Sequence, residues 1–255
     1  MIVLLTDFGE SEYVGAMKGV IYRISSDTKI VDLCHSISAQ NVIEASWILK
    51  NNYKYFAEGA IFCCVVDPGV GTERKAIAVK TDRYYFVGPD NGLFWETVKD
   101  RKIIEIRQIP VPEDASRTFH GRDVFAVAAG DIEAGKFERT GEKIKEIQKL
   151  EFYRKAREGI VVRIDRFGNV ITNLDKQDKD EYLVEVCGKE YTVRYYPNYE
   201  DGKEGELFLI EGSCRTLEIS LKNGSANERL SLKAGEKVKI EETGGQSKRD
   251  KRRKT

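Results

Sequence analysis

Up to about residue 150 the sequence alternates continuous apolar runs with segments of helical periodicity; beyond that point only short strand-like runs broken by turns remain. In the first half, "MIVLLTDF", "KIVDLCH" and "AIFCCVVDPG" read as buried strands. "YVGAMKGVIYRIS", "NVIEASWILKNNYKYF" and "RDVFAVAAGDIEAG" place apolar residues at helical spacing. "KAIAVKTD" and "YYFVGPDNG" read as a strand pair. Strands this apolar, alternating with helices, predict an α/β domain whose mainly parallel sheet is covered on both faces. The second half contributes "EGIVVRIDRFGNVITNL", "YLVEVCGKEYTVRYY", "GELFLIEGS", "TLEISLKN" and "KVKIEE" without helical signals, and predicts a small β-barrel or sandwich. The expected boundaries are an N-terminal α/β domain over 1–150 and a C-terminal β-barrel domain over 151–242, with the charged stretch 136–158 as linker. Residues 243–255, "TGGQSKRDKRRKT", are glycine-led and then basic, and are expected to form a disordered, solubilising tail.

With 255 residues the chain is long enough to bury a substantial core. Its 42 Lys and Arg balance 42 Asp and Glu, so no global field draws it to nucleic acid or to an anionic membrane. No apolar run approaches the ~20 residues of a membrane span. Met1 leads straight into the first apolar run, which is short and lacks a basic flank, so it reads as a strand and not as a signal peptide. The five cysteines include no C-x-x-C, and an odd number suits reduced thiols in a cytoplasmic protein. Cys63 and Cys64 lie within an apolar run, where cysteine behaves as a small hydrophobe. Only two histidines are present and no ligand cluster accompanies them, so no metal is expected.

The segment "VVDPGVGTERK", residues 65–75, carries the most specific chemistry. Pro68 biases Asp67 to extended backbone, so Asp67 continues its strand to the carboxyl edge of the sheet, where ligands of open α/β sheets bind. Gly69 and Gly71 let the chain reverse and can return Arg74 to that edge. A dinucleotide loop would need a third glycine and a following helix; Arg74 and a strand pattern stand there instead. An Asp–Arg pair bracing the turn and a functional acid–guanidinium site both remain open on the residues alone. Asp7 in "LTDFG", Asp90 and Asn91 in "VGPDNG", and His120 in "HGRD" fall at comparable places and suggest one shared crevice, whereas His35 reads as structural.

Taken in order, "LTDFG…YVGAMKG", "VVDPGVGTER", "VGPDNGLF", "TFHGRDVFA" and "RIDRFGNVITN" resemble the S-adenosyl-L-methionine (SAM) hydroxide adenosyltransferases, the adenosine-forming SAM hydrolases related to fluorinase and chlorinase. The resemblance spans roughly residues 2–240. It implies an N-terminal α/β domain joined to a C-terminal β-barrel, a homotrimer with the nucleotide between subunits, and hydrolysis of SAM to adenosine and L-methionine with no cofactor. It further implies that Asp67, Arg74 and His120 handle the water and that Asp7 binds the ribose diol. Glu12, Asp165, Phe167, Asn169, Tyr199 and Ser213 are implied as further substrate contacts, with Glu12 and Ser213 towards the methionine end and Phe167 and Tyr199 beside the adenine; Asn91, from its place at a strand end, is expected to join them. The halogenases carry Tyr at the positions of Asp67 and His120, so the resemblance implies a pocket for water and not halide. They also carry Arg where Cys214 stands, which leaves the ligand of the methionine carboxylate open. Arg74 cannot act as a base, since a guanidinium keeps its proton; between Asp67 and His120 the residues do not choose. The competing expectation is a SAM- or adenosine-binding sensor with only residual hydrolysis.

Overall fold

The computed structural model describes residues 1–243; the remainder of the basic tail lies outside the described residues. Inter-residue contacts divide the chain into two compact units that part between Glu151 and Phe152.

In the first unit the elements run β1 (Ile2–Thr6), α1 (Glu12–Ile24), β2 (Ile30–Cys34), α2 (Val42–Asn52), β3 (Ile61–Val65), β4 (Ala76–Thr81), β5 (Tyr85–Pro89), α3 (Trp95–Val98), β6 (Ile103–Ile109), α4 (Ala126–Glu133) and β7 (Glu142–Ile144). They build one sheet in the order β2-β1-β3-β5-β4-β6-β7. β2, β1, β3 and β5 are parallel neighbours. β4 runs against both β5 and β6, and β7 against β6. The sheet is therefore mixed, yet β6 points the same way as β1, and five strands deliver their carboxyl ends to one edge.

The continuous apolar runs have a simple cause: side chains of one strand alternate between two covered faces. Ile2 and Leu4 of β1 pack with Met17 and Ile21 of α1 and with Ala128, Ala129 and Ile132 of α4. Val3 and Leu5 pack on the opposite face with Ala45, Ile48 and Leu49 of α2. Cys63 and Cys64 divide in the same way, one in each core, and burial pushes the Cys63 thiol up to about 12. Both behave as small hydrophobes. Asn41 starts α2 by accepting the Glu44 backbone N–H at 3.0 Å. Residues Gly121–Phe125 form a π-helical turn that runs directly into α4, with His120 immediately before it.

The stretch expected as a linker is partly structural. Lys143 of β7 pairs with Glu105 at 2.8 Å, and Arg107 donates to the carbonyls of Glu138 at 2.6 Å and Gly141 at 2.7 Å. The charges that made the segment look solvated instead tie β7 to β6.

The second unit is a closed barrel of seven strands. Its elements are β8 (Glu158–Ile164), β9 (Val170–Thr172), β10 (Glu181–Val186), β11 (Lys189–Tyr195), β12 (Leu207–Glu211), β13 (Leu217–Leu221), the short helix α5 (Ala226–Leu230) and β14 (Lys237–Glu242). "EGIVVRIDRFGNVITNL" forms a hairpin, with β8 and β9 antiparallel around residues 165–169. Val161, Tyr182, Val184, Leu209, Leu217 and Ile219 fill the barrel.

Candidate functional site

The register of the sheet brings the sequence-distant acids together. Thr6 at the end of β1 lies opposite Val65 at the end of β3, so Asp7 and Asp67 emerge from the same edge. The neighbouring strand end supplies His35, whose Nδ1 lies 2.8 Å from Thr6 Oγ1 and whose carbonyl accepts the Gly9 N–H at 2.7 Å. His35 is accordingly a brace for the loop that carries Asp7.

The 67–74 turn closes on itself through Arg74. Its Nε lies 3.0 Å from each carboxylate oxygen of Asp67, and its Nη2 lies 2.5 Å from Oδ2. The same Nη2 lies 2.7 Å from His120 Nδ1. The side chains of Arg74 and Asp67 are 8% and 6% exposed, and His120 is 4% exposed. Two glycines make this geometry feasible. Gly71 adopts φ +75°, where a Cβ would meet the Arg117 carbonyl at 2.4 Å. The Arg74 stem crosses Gly69 so closely that a Cβ there would stand 3.1 Å from Arg74 Cγ. The guanidinium rests over the Phe125 ring, 5.2 Å from its centroid, and Nη1 is a buried donor with no protein partner.

This arrangement fixes the state of His120. A guanidinium only donates, so Nδ1 must accept and the proton of the neutral ring sits on Nε2. Burial pushes the His120 pKa down and the Arg74 charge adds to that, against weaker opposition from Asp67 and Asp123. With the Nδ1 lone pair occupied and Nε2 already protonated, the neutral His120 ring is a hydrogen-bond donor here, and the Asp67 carboxylate is an acceptor.

Asp67 and His120 line a cleft of about 280 Å³ together with Asp7, Phe8, Tyr13, Gln40, Val70, Thr118, Phe119 and Gly121, among others. Asp7 Oδ2 accepts the Gln40 backbone N–H at 2.7 Å. Phe8, Tyr13 and Phe119 form an edge-to-face cluster with centroids 4.8–5.9 Å apart. Gly121 lies beneath it, where a Cβ would meet Phe119 at 3.2 Å, Met17 at 3.3 Å and Phe8 at 3.4 Å. Glu12, in the first turn of α1, is exposed and is not among the lining residues. Asn91 is also outside the lining: its Nδ2 donates to the Val66 carbonyl at 2.9 Å and its Oδ1 accepts the Leu93 N–H at 3.2 Å. It braces the strand end that presents Asp67.

In the barrel unit, Asp165 organises the 165–169 loop. Its Oδ1 accepts the N–H groups of Phe167 at 2.8 Å and Asn169 at 2.9 Å, and its Oδ2 accepts Asn169 Nδ2 at 2.9 Å. The loop holds Phe167 out at 74% exposure, an apolar ring presented to solvent by a rigid turn. Tyr199 is 48% exposed, and its hydroxyl donates to Glu218 Oε2 at 3.0 Å. Ser213 is exposed on the turn between β12 and β13.

Residues 2–141 match the SAM hydroxide adenosyltransferase N-terminal domain, and residues 159–239 match the C-terminal domain of the same family. The chain belongs to the SAM hydroxide adenosyltransferase family. It is 36% identical to the (R)-S-adenosyl-L-methionine hydrolase of Methanocaldococcus jannaschii, over 94% of this chain and 95% of that one. It is also 36% identical to the enzyme of that name from Thermus thermophilus, over 94% of this chain and 98% of that one. The crystal structure of a conserved protein from Thermotoga maritima superposes with a TM-score of 0.85 at 36% identity, covering 94% of this chain and all of that one. In this member of the family, sequence reasoning passed over Phe8, Tyr13, Gln40 and Phe119. Phe8 and Phe119 adjoin Asp7 and His120, and that adjacency was the available signal. Gln40 contributes only its backbone to Asp7, which no side-chain pattern encodes.

Among the described residues no group of three or more His, Cys, Asp or Glu side chains could hold a metal ion, and no helix is long and apolar enough to cross a membrane.

Proposed function

We propose that the protein hydrolyses SAM to adenosine and L-methionine, with Asp67 as the base, and that it takes the (R)-sulfonium form named for its relatives. The observation that carries the mechanism is the buried Asp67–Arg74–His120 constellation at the wall of a cleft. Water held beside Asp67 loses a proton to the carboxylate as its oxygen bonds to C5′. The C5′–S bond breaks with its electron pair passing to sulfur, so the sulfonium leaves as neutral thioether. His120 Nε2–H orients the attacking oxygen. Arg74 holds Asp67 and His120 in register from behind, and its charge stabilises the developing hydroxide. Asp7 binds the ribose diol. Asp165, Phe167, Asn169, Tyr199 and Ser213 of the barrel unit receive the adenine and methionine portions, and Glu12 reaches the methionine amine from the cleft mouth. Asn91 contributes by bracing Val66. Holding water and C5′ in line draws on the ~7–11 kcal/mol available to proximity.

A sensor would need the cleft but not a buried acid–guanidinium–imidazole set, which favours the enzyme. Incubation in ¹⁸O-water with each sulfonium epimer tests the reaction directly. Adenosine should carry one label at its 5′-oxygen, methionine none, and the (R) epimer should turn over faster. Intact SAM, or label in methionine, rules the mechanism out.

The contacts proposed for one substrate are divided between the two units, which supports a homotrimer in which the first unit of one subunit works with the barrel of its neighbour. Light scattering should give the mass of three 29.0 kDa chains, and activity per chain should fall on dilution into monomer. A fully active monomer refutes this assembly.

A further inference from the structure

The outer face of the barrel unit contains a buried carboxylate that no role above employs. Strand alternation sends Leu217 and Ile219 into the barrel core and Glu218 to the other side of β13, yet Glu218 is only 6% exposed. It is covered by chain from elsewhere in the unit. A Cβ on Gly212 would stand 1.7 Å from Glu218 Oε1, so the carboxylate is pressed beneath the Gly212–Arg215 turn that carries Ser213. Its Oε2 accepts the Tyr199 hydroxyl at 3.0 Å. Burial and the nearby Asp165 charge push its pKa up, while Tyr199 and Arg163 pull the other way. Two segments implicated above in substrate binding, one carrying Tyr199 and the other Ser213, therefore meet on one side chain.

Tyr199 shows what the convergence achieves. Its ring is nearly half exposed while its hydroxyl is anchored, and the anchoring pushes the phenol pKa up through burial and the Glu218 charge. A free surface tyrosine loses rotamer freedom when a ligand packs on it, whereas a ring tied at its tip has lost that freedom beforehand. We infer that Glu218 is a positioning residue for the nucleobase: it accepts the Tyr199 hydroxyl and so fixes the ring face against which adenine packs. This rests on the SAM reading above and adds a residue to it.

The test uses the full chain with Tyr199→Phe, Glu218→Gln and Glu218→Leu, and reads both SAM turnover and the binding of adenosine by calorimetry. Ordering one side chain is worth about 2- to 12-fold in affinity. Tyr199→Phe and Glu218→Leu should weaken adenosine binding and raise KM for SAM by that factor, with kcat within about twofold. Glu218→Gln keeps an amide oxygen that accepts the hydroxyl, and should stay close to the unsubstituted protein on both readouts. If Glu218→Gln is as damaging as Glu218→Leu, the residue acts through its charge and the inference fails. Tyr199→Phe with unaltered adenosine binding overturns it as well. Should Glu218→Leu not fold, Tyr199→Phe and Glu218→Gln still decide the matter. Unsubstituted protein that binds adenosine but leaves SAM intact refutes the hydrolase reading alone, whereas one that binds no adenosine overturns the role of Glu218.

Discussion

Asp67→Ala should lower kcat by about 10²–10⁴-fold while leaving the Kd for SAM nearly unchanged. In the proposed mechanism its carboxylate meets the water, whose charge develops only as the reaction proceeds, so its removal is felt in the transition state and not in the ground state. Asp7→Ala should behave in the opposite manner. In the same mechanism Asp7 meets the ribose diol, which is unchanged between the two states, so the loss should appear mainly in KM. His120→Ala should also lose turnover, and the double substitution Asp67→Ala/His120→Ala should cost little more than Asp67→Ala alone. Both side chains are held by one guanidinium, and groups that act as a unit are not additive. Single-turnover rates and equilibrium binding for these variants provide the measurement. Near-normal kcat with collapsed binding in Asp67→Ala would make 67–74 a binding turn, and the assignment of the base would be wrong.

Arg74→Ala should be the most destabilising single change at the site. It leaves Asp67 buried without its partner, and breaking one side of a buried ion pair costs about 3–5 kcal/mol. Contact with the Phe125 ring is lost too. For a protein of this size the expected fall in Tm is about 6–20 °C. Arg74→Lys should not restore stability or turnover, since an ammonium cannot span both Asp67 oxygens and His120 in one plane. Asp67→Ala/Arg74→Ala should be more stable than Arg74→Ala, because the stranded charge goes with its partner. Thermal unfolding of the three variants measures this, and an Arg74→Ala protein melting within about 2 °C of the unsubstituted chain would mean that the pair contributes little.

The parts of this molecule that were legible in its sequence share a physical reason. β1 and β3 are buried on both faces, so their apolar runs are continuous and hard to mistake. The 67–74 turn was legible because Pro68 restricts the backbone and Gly71 permits the positive φ that the reversal needs. β6 was not, because Glu105 and Arg107 interrupt its pattern, and their partners Lys143, Glu138 and Gly141 lie more than thirty residues on. β7, within the charged stretch 136–158, was hidden for the same reason. Asn91 reads as a site residue because it follows a strand at the ligand-binding edge; that its amide donates to the Val66 carbonyl, 25 residues earlier in the chain, is set by the pairing of strands and is not written in its neighbours. Glu218 was invisible for the converse reason. A polar residue alternating with Leu217 and Ile219 looks like an ordinary solvent-facing position, and only the return of residues 199 and 212 covers it.

The π-helical turn at Gly121–Phe125 has a consequence for how such a protein can change. A π-turn accommodates one residue more than the α-helix it interrupts. Deleting a single residue there would leave α4 free to keep its apolar face against β1 and β3, but would rotate everything before the turn by about 100° around the helix axis. His120 would then no longer meet Arg74. The hydrophobic register of the helix and the chemical register of the cleft are thus offset by one residue, like two scales read against a common mark. A one-codon deletion could silence the chemistry in a lineage while its fold, its core and its resemblance to the family all persisted.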